Sequence, residues 1–100
     1  MKLITVVIPC YNEEKYISKL LKKIIKIKKK NKLNLEIIVV DDGSTDNSKR
    51  EIKKIKTVKL ISQKNQGKGF AVQNGIKKAK GFYVLIQDAD LEYNPKDYIK

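Results

Sequence analysis

The chain has 100 residues, with 23 lysines and arginines against 11 acids, no histidine, one cysteine and a net charge of +12. That length holds at most one domain, of which about 60–65% of the surface can be buried. The composition excludes an internal disulfide, an imidazole metal site and a cysteine–histidine nucleophile; Cys10 reads as a small apolar filler in a reducing compartment.

Met1-Lys2 leads straight into a β-branched run at residues 3–8, which does not read as a signal peptide but suits a parallel strand buried on both faces. Asn12 then reads as the cap of a helix with Glu13 and Glu14 in its first turn. Ile17, Leu20, Leu21, Ile24 and Ile27 follow at the spacing of a core-facing stripe. A second strand is expected at 35–40, and a turn at 42–46 with Ser44 or Thr45 capping a short helix through Ile52 and Ile55. Residues 58–61 form a short third strand near the sheet edge. Gly67-Lys68-Gly69 opens a third helix at 70–79, Gly81 ends it, and 82–87 is a fourth, buried strand. Asn94 and Pro95 read as the cap and first residue of another helix, so the domain is expected to be incomplete at Lys100. The longest apolar stretches fall well short of the ~18 residues that span a bilayer.

Alternating strands and short-looped helices predict a parallel α/β sheet with helices on both faces; if its strand order is 3-2-1-4, the order reverses between strands one and four. Ligands of such sheets bind beyond the carboxyl strand ends where the order reverses. Residues 9–13, Asp41-Asp42 and Asp88-Ala89-Asp90 would converge on that crevice. Two carboxylates one residue apart, Asp88 and Asp90, make a hard-oxygen site for Mg²⁺ or Mn²⁺, with Glu92 as a further oxygen. Such a cation neutralises a diphosphate leaving group. Tyr11 offers a flat face for a base, Glu13 an acceptor, and Asp41 an acceptor for a base N–H or a ribose hydroxyl. Lys68 and the glycines flanking it could approach a phosphate. The first βα turn lacks both the glycine fingerprint and the Gly-Lys-Ser/Thr of a phosphate loop.

The lysines concentrate on helix faces with one arginine, Arg50, and no interleaved aromatics, which disfavours nucleic acid. A basic module binding nucleic acid or an anionic membrane remains one alternative. A Mg²⁺-binding phosphoacceptor domain is another, although it would place its acid pair after the first strand, which here ends in Pro9-Cys10.

Four segments in order carry a resemblance: Val-Val-Ile-Pro-Cys-Tyr-Asn-Glu-Glu at 6–14, Val-Val-Asp-Asp-Gly-Ser-Thr-Asp-Asn-Ser at 39–48, Asn-Gln-Gly-Lys-Gly at 65–69 and Asp-Ala-Asp-Leu-Glu-Tyr-Asn-Pro at 88–95. Together they resemble the donor half of a family-2 glycosyltransferase of the GT-A (Rossmann-like) fold, most like the dolichyl- and polyprenyl-phosphate mannose or glucose synthases. The resemblance implies a metal-dependent, inverting enzyme taking a hexose from a GDP- or UDP-sugar to a polyprenyl phosphate or glycan. It implies a nucleotide-sugar pocket formed by Pro9, Tyr11, Asn12, Glu13, Val40, Asp41, Asp42, Lys68, Asp88, Ala89 and Asp90. Asp88, Asp90 and Glu92 would hold the metal, Glu92 standing where several relatives carry Gln. Residues 1–100 would be the nucleotide-sugar-binding half of one domain, inactive alone, with the acceptor half and any base beyond Lys100. The implied location is cytoplasmic, with peripheral contact at the inner face of the cell membrane.

Overall fold

A computed structural model describes residues 2–89. The chain alternates strands and helices: β1 (Ile4–Cys10), α1 (Ile17–Lys30), β2 (Leu35–Asp42), α2 (Ser48–Lys53), β3 (Lys59–Gln63), α3 (Lys68–Lys78) and β4 (Tyr83–Ile86). The four strands form one parallel sheet, as the alternation predicts, and their order is β3-β2-β1-β4.

The alternation of side chains along the strands divides the core in two. Val6, Ile8 and Cys10 of β1, with Leu35, Ile37 and Val39 of β2, pack against Ile17, Leu20, Leu21 and Ile24 of α1 and Ile52 of α2. Val7, Ile38 and Val40 point to the other face and meet Ala71 of α3. The stripe predicted for α1 is buried throughout, Ile27 included. Gly75 brings α3 close to the sheet, because a Cβ there would lie 2.3 Å from Val7 Cγ1.

Register sets the site. Cys10 pairs with Asp41 across β1 and β2, and Asp42 pairs with Gln63 across β2 and β3. The Gln87 amide donates to the Val7 carbonyl just past β4, which carries Asp88 to the same end of the sheet.

Four expectations need correction. The first helix starts at Ile17, not after Asn12: Tyr16 precedes it, its first turn holds no acid, and Asn12 serves elsewhere. The second helix starts at Ser48 after Asn47, so neither Ser44 nor Thr45 caps it. The third starts at Lys68, because Gly67, at φ 101°, makes the turn into it. The fourth strand is not buried: Tyr83 and Ile86 are 58% and 46% exposed, since among the described residues β4 has β1 as its only neighbour in the sheet. Residues 94 and 95, read as a helix start, lie outside the described residues.

Candidate active site

The loop after β1 is laced to the loop after β2. The backbone amides of Asn12, Glu13 and Glu14 donate to Ser44 Oγ (2.9 Å), Ser48 Oγ (2.8 Å) and Asp46 Oδ2 (3.2 Å). In return, the Asn12 side-chain oxygen accepts from the Thr45 and Asp46 amides at 2.8 and 3.3 Å. Asn12 sits at φ 51°, a left-handed conformation that asparagine tolerates better than most residues. Asp46 also accepts from the Ser48 amide at 2.8 Å, taking over the start of α2. Burial would raise its carboxyl, but the bonds from Ser48 and Glu14 hold it below the ordinary range.

The two acids ending β2 have separate tasks. Asp41 is 2% exposed and accepts both the Ser44 hydroxyl (2.6 Å) and the Ser44 amide (3.1 Å), so it shapes the turn from within. Asp42 faces the next loop. Its Oδ1 accepts from Gln63 Nε2 and the Gln66 amide, both at 2.7 Å, and its Oδ2 from the Gly67 amide at 3.0 Å. Desolvation pushes the Asp42 carboxyl up, but the Gln66, Gln63 and Gly67 donors outweigh it and leave the group below its ordinary value.

These loops surround a cavity of about 280 Å³ lined by Pro9, Cys10, Tyr11, Glu13, Asp42, Lys68, Ala71, Asp88 and Ala89. Across it Lys68 Nζ lies 2.5 Å from Asp88 Oδ1. The lysine side chain is 63% exposed and the aspartate 27%, so water screens the pair, and such pairs contribute about 0–1 kcal/mol. Tyr11, one of the lining residues, is 46% exposed. The Cys10 thiol is pushed up to about 12 by burial and then by the Asp41 charge, so it stays protonated and inert.

Of the residues expected to bind a nucleotide sugar, the structure brings Pro9, Tyr11, Glu13, Asp42, Lys68, Asp88 and Ala89 together. Asn12 and Asp41 are not among the lining residues but bond the loops that carry them, and Val40 is fully buried against α3. Asp90 and Glu92 lie outside the described residues. Sequence reading passed over Ala71 as a lining residue, and Ser44, Asp46, Ser48 and Gln66 as supports. The run of small polar residues at 44–48 was the available signal, because short hydroxyl and carboxylate side chains bond readily to nearby backbone.

The cavity's donors suit a hard cation. The chain has no histidine, Cys10 holds its proton, and Asp88 brings a carboxylate oxygen to the cavity wall. No group of three or more acids or cysteines that could cage a metal occurs among the described residues.

The chain spans about a third of the length of the proteins it resembles. It is 36% identical over 100 residues to an undecaprenyl-phosphate 4-deoxy-4-formamido-L-arabinose transferase of Proteus mirabilis, covering 94% of this chain and 31% of that protein. The fold superposes on a mannosyltransferase of Pyrobaculum calidifontis in complex with GDP-Man and Mn²⁺, with a TM-score of 0.71 and 31% identity over 87% of this chain and 27% of the other. It superposes also on glucosyl-3-phosphoglycerate synthase of Mycobacterium tuberculosis with Mn²⁺ and UDP, with a TM-score of 0.77 and 27% identity over 94% and 36%. The parallel sheet in the order β3-β2-β1-β4 with its packed helices is the fold of the GT-A glycosyltransferases. Residues 5–100 match the model of glycosyl transferase family 2, and the chain belongs to that family.

Proposed function

We propose that this chain is the donor-binding half of an inverting, metal-dependent glycosyltransferase that takes a hexose from a GDP- or UDP-sugar. The observation that carries this reading is the convergence of Tyr11, Glu13, Lys68 and Asp88 on one cavity beyond the strand ends. In this reading Tyr11 stacks on the base and Glu13 accepts a hydrogen bond from the nucleoside. Lys68 lies against the diphosphate, at the start of α3, where a helix dipole favours negative charge. Asp88, with Asp90 and Glu92 further along the same segment, holds Mg²⁺ or Mn²⁺. The cation, when bound, neutralises the departing diphosphate. Asp41, Asp42 and Asn12 fix the walls against which the donor is oriented, and orientation is a large part of catalysis in displacement reactions.

The acceptor is proposed to be a polyprenyl phosphate, by analogy with the undecaprenyl-phosphate transferase of Proteus mirabilis, or a glycan. A phosphate acceptor is anionic at neutral pH and needs little help from a general base. Groups that orient the acceptor are assigned outside residues 1–100. Such an acceptor resides in a bilayer, so we place the reaction at the cytoplasmic membrane face, with peripheral contact. Among the described residues no helix is long and apolar enough to cross a membrane.

Calorimetric titration with UDP and GDP, in Mn²⁺ and in EDTA, tests the donor site. At least one nucleotide is expected to bind more tightly with Mn²⁺, and Asp88→Asn is expected to remove most of that gain. Equal affinity with Mn²⁺ and with EDTA would overturn the metal-dependent reading.

A further inference from the structure

We propose that Lys68 is a built-in counter-ion for Asp88, which it releases when a nucleoside diphosphate arrives, so that divalent cation and diphosphate bind cooperatively. This deepens the donor-site reading above and rests on it. Of the two aspartates on the cavity wall, Asp42 is committed to the Gln63 side chain and the Gln66 and Gly67 amides. Asp88 instead meets the end of a long, flexible side chain, at 2.5 Å.

The two ends of Lys68 are held very differently. Its backbone follows Gly67, whose amide is fastened to Asp42, so the base of the side chain is fixed beside the cavity. Its ammonium is at the far end of four methylenes, on a side chain that is 63% exposed. A half-exposed lysine pair is weak, and an ammonium forms no bidentate fork that would resist exchange. Lys68 can therefore turn from Asp88 to another anion in the same cavity without disturbing α3.

The consequence is a coupling between ligands. A cation reaching Asp88 by itself must displace the ammonium and then sit close to it. A diphosphate offers that ammonium a second anionic partner and frees the carboxylate. Each ligand removes an obstacle to the other, and linkage requires the two effects on affinity to be equal. Without either ligand, the carboxylate is neutralised by its own protein.

Mn²⁺ binding read by electron paramagnetic resonance, on the full-length protein with and without UDP or GDP, tests this. Lys68→Met is expected to bind Mn²⁺ alone about 2- to 5-fold more tightly than the unaltered protein, the scale of removing one exposed competing charge. The same variant should bind metal-free nucleotide more weakly. Lys68→Arg, whose guanidinium can fork onto the carboxylate, should bind Mn²⁺ alone no more tightly than the unaltered protein. Adding Asp88→Asn to Lys68→Met should abolish the gain. If the unaltered protein takes up Mn²⁺ with nucleotide but Lys68→Met binds Mn²⁺ alone no more tightly, the counter-ion role is wrong and the donor site stands. If no Mn²⁺ binds even with nucleotide, both readings fall together.

Discussion

Asp42 and Gly67 are joined at 3.0 Å, carboxylate oxygen to backbone amide, across the gap between β2 and the start of α3. The bond makes the acid at a strand end the anchor of the loop that carries Lys68. With Gln63 and Gln66 it spends both oxygens of a buried carboxylate on three donors. A family motif that reads as ligand contact is, in this geometry, also a means of placing one.

Asp42→Ala is therefore expected to lower folding stability by about 1–3 kcal/mol, the scale of leaving buried donors without their acceptor. It should also weaken nucleotide binding through the misplaced Lys68. Asp42→Asn should be intermediate, because it keeps one acceptor oxygen. Urea unfolding gives the first quantity and nucleotide titration the second. Unchanged stability in Asp42→Ala would show the loop to be anchored by other contacts.

Acid stability should follow Glu36, at the opposite end of the sheet. Burial raises its carboxyl, but bonds from the Lys59 ammonium, the Lys80 amide and the Thr5 hydroxyl (2.7 Å) bring it from 4.5 down to about 2. A carboxyl depressed in the folded state contributes stability above its unfolded value and loses it as pH falls through the folded one. The expected loss lies between pH 4.5 and 2. Urea midpoints across that range should fall steeply in the unaltered protein and less in Glu36→Gln, which is less stable at pH 7 by about 1–3 kcal/mol.

Two glycines of α3 should respond with opposite signs to the same substitution. A methyl at Gly75 would meet Val7 Cγ1 at 2.3 Å and Val40 Cγ2 at 3.3 Å, so α3 must retreat from the sheet. Gly75→Ala is expected to cost about 1–3 kcal/mol despite the better helix propensity of alanine. Nothing lies within 4 Å of a methyl at Gly69. Gly69→Ala should gain about 0.5–1 kcal/mol. Chemical denaturation of both variants measures the contrast.

The parts legible in the sequence are those governed by local pattern. The stripe of Ile17, Leu20, Leu21, Ile24 and Ile27 follows from helical spacing alone, and the parallel sheet follows from alternating strands and helices. Asn12 was misread because a short polar residue before acids looks like a cap. Its partners lie in the loop after β2, which no local pattern connects to it. Asp41 was legible as an acid at the site but not as one turned inward to Ser44. The apolar run of β4 specifies a strand, whereas its exposure depends on what lies beside it, which periodicity cannot tell.

Asn12 itself gives the last prediction. Its side-chain oxygen receives two amides from the loop after β2, while its own amide donates to Ser44, which in turn donates to Asp41. The connection fixes Tyr11 and Glu13 on either side of it, both of which line the cavity. Asn12→Ala removes the acceptor and also puts an alanine at φ 51°, where a Cβ without local hydrogen bonding is disfavoured. A loss of about 1–2 kcal/mol in stability is expected, together with weaker nucleotide binding. Asn12→Gly relieves the backbone but not the missing acceptor, whereas Asn12→Asp keeps the acceptor. If binding follows the loop connection, Asn12→Asp should bind nucleotide nearly as well as the unaltered protein and Asn12→Gly should not. The reverse ranking in calorimetry would show that backbone conformation, and not the bridge between the two loops, sets the position of Tyr11 and Glu13.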